Sequence, residues 1–340
     1  MWYNLLSEYL LKEGYKNDSI CPCIFIKRTG PEYVIIVVYV DDHNIIETSG
    51  ELTKAAEYLK KEFEMKDFRK TKFCLRFQIE HLKNGILIHQ NVYTKKLLKR
   101  FYMDKSHLLS TPMVVRTLDV EKDPFRPLDD DEEILCPEVP YLSAIGALLF
   151  LASHTRPNIS FLSNLLARYS SCPTRRHWNW VKQIFRYLQG IKDMGLYYTI
   201  PSERNLVGFA DAGYLSDPHT GLSQTGYVFT SSNTVISWRS VKQIMSATSS
   251  NHAEILAIHE ASQECVWLRN VIQHNRESCR ISSSEEDPTI VHEDNATCIA
   301  QLKDGYIKGD SNKHILPSSS LMTRRKVVIL LFNRFVQAIA

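Results

Sequence analysis

Tyr33-Val34-Ile35-Ile36-Val37-Val38-Tyr39-Val40-Asp41-Asp42 is a β-branched and aromatic run that ends abruptly on two acids. It is too short for a helix of ordinary length and suits a buried strand. A shorter apolar piece, Asn44-Ile45-Ile46, follows at once, so the economical reading is strand, sharp turn, strand. Two adjacent carboxylates at the tip of such a hairpin repel each other and lose solvation. A divalent cation that takes hard oxygen ligands, as magnesium does, resolves both problems. A solvated Asp-Asp turn without a ligand fits the same residues.

Downstream of the hairpin, Leu52, Ala55, Ala56, Leu59 and Phe63 recur at helical spacing, with Ser49 as a candidate cap. Residues 73–82 and 86–89 flank Lys83-Asn84-Gly85, and Asn-Gly between two apolar runs is a strong hairpin signal. Residues 91–103 return to helical spacing, with Lys95, Lys96, Lys99 and Arg100 on the polar side. Prolines scattered around Asp129-Asp130-Asp131-Glu132-Glu133 mark residues 111–140 as an exposed acidic connector. Beyond it, residues 141–153, 159–169 and 175–188 read as three helices joined at Arg156-Pro157 and Cys172-Pro173.

A strand-rich region begins near Gly195. Leu206-Val207-Gly208-Phe209-Ala210 leads into Asp211, and residues 225–230 and 234–238 flank Ser231-Ser232-Asn233 as a second hairpin. Residues 251–273 form a long amphipathic helix. A loop holding Ser282-Ser283-Ser284-Glu285-Glu286-Asp287-Pro288 precedes a strand over 289–292, and Asp294 opens another helix through Leu302. No internal repeat is visible, which excludes solenoids.

The 340 residues leave room for two domains. Apolar residues at 44% and charged residues at 23% exclude wholesale disorder, collagen and low complexity. Lysine and arginine number 41 against 38 acids, a net charge of +3, so bulk charge does not point to a polyanion partner. Of eight cysteines only Cys21 and Cys23 are close, and Cys-Pro-Cys is too short a spacer for the usual zinc hook. The scatter reads as reduced, intracellular thiols. The N-terminus lacks the order of a signal peptide, and the most apolar stretches, 33–40 and 144–152, fall far short of the ~20 residues that span a bilayer. The expectation is a soluble, unsecreted protein with no membrane partner.

A second set of acids is spread along the strand-rich region. Asp211 ends a strand, Glu254 lies one turn into the long helix in Asn251-His252-Ala253-Glu254, and Asp294 stands where a strand passes into a helix. Acids delivered from those places can converge on two magnesium ions, which activate water and stabilise the leaving oxygen in phosphodiester hydrolysis. Each acid taken singly is also ordinary on a protein surface. Arg175, Arg176, Lys182 and Arg186 fit either backbone contacts to a nucleic acid or one solvated face of a helix whose Trp178 and Ile184 pack inward. His252 and His259, on either side of Glu254, read as packing residues with no zinc role.

Tyr39-Val40-Asp41-Asp42 on a strand–turn–strand resembles the active-site hairpin of reverse transcriptases. Met1-Trp2-Tyr3, Ile20-Cys21-Pro22-Cys23, Phe63-Glu64-Met65-Lys66-Asp67, Tyr141-Leu142-Ser143-Ala144-Ile145-Gly146, Thr155-Arg156-Pro157 and His177-Trp178 are similar, in order, to the copia-type retrotransposon Pol polyprotein. Lys308-Gly309-Asp310 and Lys313-His314-Ile315 extend that resemblance to residue 315. The succession of Asp211, Glu254 and Asp294 resembles ribonuclease H, which follows the polymerase in this family.

The resemblance implies a mixed α/β fold. A reverse transcriptase palm remnant with its following hairpin and helix would occupy 1–110, the exposed acidic connector 111–140 and connecting helices 141–192. A ribonuclease H-like mixed sheet flanked by helices would fill 193–315, its last helix lost, and 316–340 would be a non-family tail, read as translation in a shifted frame. It implies Mg2+ or Mn2+ at Asp211, Glu254 and Asp294 as catalytic ligands, with Asp41 and Asp42 the vestige of a polymerase site. The implied partners are an RNA–DNA hybrid or other nucleic acid and other Pol segments, in the cytoplasm or nucleus.

The ancestral work of such a chain is RNA-directed DNA synthesis and cleavage of RNA in RNA–DNA hybrids. The family's third polymerase aspartate, its fingers and the late Asn-x-x-Ala-Asp acid of ribonuclease H have no counterpart in these residues, so DNA synthesis is not expected. His43 also replaces the aliphatic residue common in the family. Two readings stay open: a weak magnesium-dependent nuclease, and a catalytically dead remnant that at most binds nucleic acid.

Overall fold

The computed structural model describes residues 2–30, 32–40, 42–47, 52–63, 65, 70–113, 119–126, 132–199, 205–279, 288–304 and 328–332. Asp41, the candidate cap Ser49, the loop at 282–287 and the motifs at 308–315 lie outside the described residues. The chain divides into two compact units. One comprises Met1–Leu75 with Trp267–Glu286, the other Arg76–Val266 with Asp287–Ala340.

In the first unit α1 (Trp2–Lys12) precedes an antiparallel sheet of β1 (Lys16–Asn17), β2 (Ile24–Thr29), β3 (Glu32–Tyr39) and β4 (Asp42–Glu47), in that order. Then come α2 (Leu52–Glu62) and the short β5 (Phe73–Cys74). Along β3, Val34, Ile36 and Val38 are buried and the residues between them are not. That alternation is what a sheet covered on one face requires. Leu6 and Leu10 of α1, Ala55 and Leu59 of α2, and Tyr15, Phe25 and Phe63 complete that core. The strand–turn–strand expected here is present, with Tyr39 paired to Asp42 across a two-residue connection. No element was expected before Tyr33, and α1 and β2 fill that stretch.

The second unit opens with the Asn-Gly hairpin, β6 (Phe77–Leu82) and β7 (Gly85–His89), followed by α3 (Asn91–Arg100). The connecting helices are α4 (Tyr141–His154), α5 (Ser160–Ala167) and α6 (Arg175–Gly190), with a 3-10 turn at Pro157–Ile159. After them β8 (Leu196–Thr199) pairs antiparallel with β7. Leu97, Leu98, Leu148, Leu151, Leu162, Ile184 and Phe185 make one apolar core among the four helices.

The acidic connector is less exposed than its composition implies. Phe125 is fully buried, beside the rings of Trp180 and Tyr169. Buried Asp123 lies 2.9 Å from His219 Nε2, Arg176 is paired with Glu132, and Leu135 N–H donates to Pro173 O. One aromatic among prolines and acids anchors the segment, and periodicity gives no sign of such a single contact.

The remaining elements are β9 (Leu206–Asp217), β10 (Leu222–Ser231), β11 (Thr234–Lys242), α7 (Ser250–Cys279), β12 (Thr289–Glu293), α8 (Ala296–Asp304) and β13 (Val328–Phe332). They form a five-stranded mixed sheet in the order β11-β10-β9-β12-β13. The first three strands are antiparallel, and β12 runs parallel to both β9 and β13. Two details depart from expectation. Asp211 lies inside β9 rather than at its end, because the strand continues through small and polar residues that carry little strand signal. The apolar run near residue 330, inside the expected non-family tail, is the edge strand β13, whose partner is remote in sequence. Among the described residues no helix is long and apolar enough to cross a membrane.

Candidate metal centre

Three elements of the second unit bring the acids together, and each starts or bends for a local reason. On β9, Ala210 and Ala212 point into the core, so Asp211 between them faces outward. Helix α7 begins where Ser249 Oγ accepts the His252 N–H at 3.1 Å, a serine N-cap that sets Glu254 in the first turns. Ala253 and Ala257 of this helix pack with Ala212 and Ala247. Side chains this small let helix and strand approach closely. Buried Gln243 ties the helix start to the sheet, donating to Ala253 O at 3.0 Å and Thr225 Oγ1 at 3.1 Å. Helix α8 is capped by Asn295, whose Oδ1 accepts the Cys298 N–H at 2.9 Å, which leaves Asp294 just ahead of the helix. Asn251 donates to Gln301 Oε1 at 2.8 Å and joins the two helices.

The result is a cluster in which Asp211, Glu254 and Asp294 each offer a ligand oxygen, all within 4.8 Å of one another. Among the described residues this is the group of His, Cys and acidic side chains with metal-holding geometry. Asp211 and Asp294 are exposed and Glu254 is buried. Burial first, then the charges of Glu293, Asp211 and Asp294, push the Glu254 carboxyl up to about 9. Solvent reaches Asp211, yet enough protein surrounds its carboxylate that burial, helped by Asp294, raises it as well; the Ala212 backbone opposes the shift. Glu254 Oε2 is buried without a hydrogen-bond partner.

The sequence reading missed Glu293. It is fully buried and pushed up to about 7, by burial first and then by Asp294 and Asp211, with the Asn295 N–H pulling the other way. Its Oε1 accepts that N–H at 3.0 Å, while Oε2 has no partner. The signal was available in Thr289, Val291 and Glu293, which occupy the inward positions of β12, so a charge closes an otherwise buried alternation.

The other expected positions separate. Asp42 is exposed at the start of β4, and Asp41 lies outside the described residues. Val40 has φ 50, a left-handed backbone that is unfavourable for a β-branched residue, and its carbonyl accepts the Trp2 Nε1–H at 3.2 Å. His252 accepts the Thr248 N–H at 3.2 Å and His259 contacts Gln263, so neither belongs to the carboxylate group. In α6, Ile184 is buried, Trp178 packs on the core and Arg176 is paired with Glu132. Lys95, Lys96, Lys99 and Arg100 of α3 are all exposed, with Lys95 3.6 Å from Asp193.

The chain combines an acid-bearing hairpin, connecting helices and a mixed sheet with clustered carboxylates. A profile described as "Reverse transcriptase (RNA-dependent DNA polymerase)" matches residues 1–115. The chain is 32% identical over 276 residues to the retrovirus-related Pol polyprotein from transposon TNT 1-94 of Nicotiana tabacum, covering 80% of this chain and 21% of that one. It is 41% identical over 130 residues to secreted RxLR effector protein 161 of Plasmopara viticola, covering 38% of this chain and 92% of that one. A solved ribonuclease H1 isolated from compost aligns at a TM-score of 0.25 and 14% identity, over 38% of this chain and 85% of the other. The chain belongs to the copia-type retrotransposon Pol family, and it spans about a fifth of the length of the Pol polyproteins it matches.

Proposed function

We propose that Asp211, Glu254 and Asp294 hold magnesium (or manganese) and that the second unit hydrolyses the RNA strand of an RNA–DNA hybrid. The observation that carries this reading is the convergence of their oxygens within 4.8 Å. The donor set fits the ion, with three hard oxygens and a buried Glu254 Oε2 lacking any other partner. When bound, a divalent pair supplies water activation and charge stabilisation at the leaving oxygen. The chain's own part is positional. The capped start of α7 holds Glu254 below, while exposed Asp211 and Asp294 face the side from which a phosphodiester approaches. Glu293, pushed up to about 7, carries a proton on its unpartnered Oε2 over part of the neutral range and so limits the repulsion on Glu254. The exposed basic row of α3 suits phosphate contacts. Asp41 and Asp42 are assigned the role of a vestigial polymerase site.

The test is cleavage of an end-labelled RNA–DNA hybrid by the full chain in Mg2+ and in Mn2+. Cleavage that falls at least about a hundredfold in D211N supports the nuclease, on the scale of a lost catalytic interaction. Hybrid binding with no cleavage in either metal overturns it and leaves a nucleic-acid-binding remnant.

A further inference from the structure

The first unit carries a chemically distinctive pair of thiols. Cys21 and Cys23 are free thiols, both partly exposed, with their Sγ atoms 3.0 Å apart. A turn brings them together. Ile24 N–H donates to Cys21 O at 2.9 Å, and Pro22 occupies the position where its fixed φ presets a turn. The loop is pinned from several directions. Asp18 Oδ1 accepts the Ile20 and Cys21 N–H groups at 2.9 and 2.8 Å. Pro22 O accepts the Tyr3 hydroxyl at 2.6 Å and the Asn17 amide at 2.7 Å, and Cys23 O accepts the Val38 N–H at 2.8 Å. Two thiols held in contact by a rigid turn surrender little freedom when they bond, because the loop between them is already closed.

We propose that Cys21 and Cys23 are a redox-modifiable dithiol, converted reversibly by a hydroperoxide into an intraloop disulfide. Cys21 as thiolate attacks a peroxide oxygen, the O–O bond breaks, and Cys21 becomes a sulfenic acid as water, or an alcohol, leaves. The deprotonated Cys23 sulfur then attacks the Cys21 sulfur, forming the S–S bond and expelling hydroxide, which takes up the released proton as water. The two sulfurs lose two electrons and the peroxide gains them. Contact with Cys21 and burial push the Cys23 thiol up, so Cys23 keeps its proton until the second step. The disulfide would form one residue pair away from Tyr39, since Val38 bonds Cys23 directly.

The full chain is treated with hydrogen peroxide until exposed Cys136 is oxidised, blocked with N-ethylmaleimide, digested with trypsin and weighed. Peptide 17–27 contains these two cysteines and no others. The expected product is that peptide two hydrogens lighter and carrying no maleimide, and prior reduction by a phosphine restores uptake of two maleimides. C21S and C23S should each lose the light species. Peptide 17–27 carrying two maleimides while Cys136 is oxidised overturns the proposal. So does finding it as sulfonic acid or cross-linked to another peptide.

Discussion

At the scale of single residues, the chemistry of this chain is concentrated in carboxyl groups that the fold holds against their preference. Glu254 illustrates the consequence for stability. Its folded value of about 9 lies above the ordinary glutamate range, so between those limits the folded chain holds a proton that the unfolded chain has released. Stability from this group is full below the ordinary range and is lost as pH rises toward 9. The metal-free thermal midpoint should therefore fall by several degrees between pH 5 and pH 9, and E254Q should flatten that fall. Magnesium should restore the midpoint of the unsubstituted chain at pH 8 and do little for E254Q. Scanning calorimetry across the pH series, with and without the ion, measures all of these. D294N should weaken Mn2+ binding in a calorimetric titration about tenfold or more, since it removes one of three ligand oxygens.

At the scale of elements, α6 and β9 depend on identifiable contacts. His177 sits at the third position of α6, where its Nδ1 accepts the Thr174 N–H at 3.0 Å, and burial pulls the imidazole down to about 4. The unfolded chain binds a proton there at higher pH, so stability from this cap is full above the ordinary histidine range and lost as pH falls toward 4. H177A should cost about 1 kcal/mol or more, the usual value of a cap. H177Q keeps an acceptor and should lose less while removing the acid dependence, as urea titrations at pH 5 and pH 7 would show. On β9, a Cβ at Gly208 would come within 2.5 Å of the fully buried Phe229 ring. G208A should therefore destabilise by about 1–3 kcal/mol through overpacking.

Elements with strong local patterns were legible in the sequence: β3, the Asn-Gly hairpin, the connecting helices and the β10–β11 hairpin. The acids were legible in part: Glu254 and Asp294 lie beside readable helix starts, whereas Asp211 lies inside β9. What escaped depends on distant partners. Glu293 is informative only once β12 is seen to be buried, Phe125 only once Trp180 is beside it, and β13 only once β12 is its neighbour.

At the scale of the whole molecule, charge is nearly balanced, so the proposed binding of nucleic acid rests on local rows such as that on α3. K96E together with K99E should lower hybrid affinity and make its dependence on salt less steep by about two in log–log slope, read from binding isotherms at several salt concentrations.

The composition of the first unit carries a different consequence. Asp18 contacts His274 at 2.6 Å, and Arg28 donates to Glu277 O, so residues near the beginning of the chain are sealed by residues synthesised far later. On a ribosome working in one direction, these two contacts form only after nearly the whole second unit has emerged, whereas the buried apolar core beneath the sheet spans residues 6–63. A chain ending at residue 260 should therefore protect residues 1–75 from protease less well than the full chain does, as limited proteolysis of the two would show. The last ties on the segment made first are thus among the later ones to be translated.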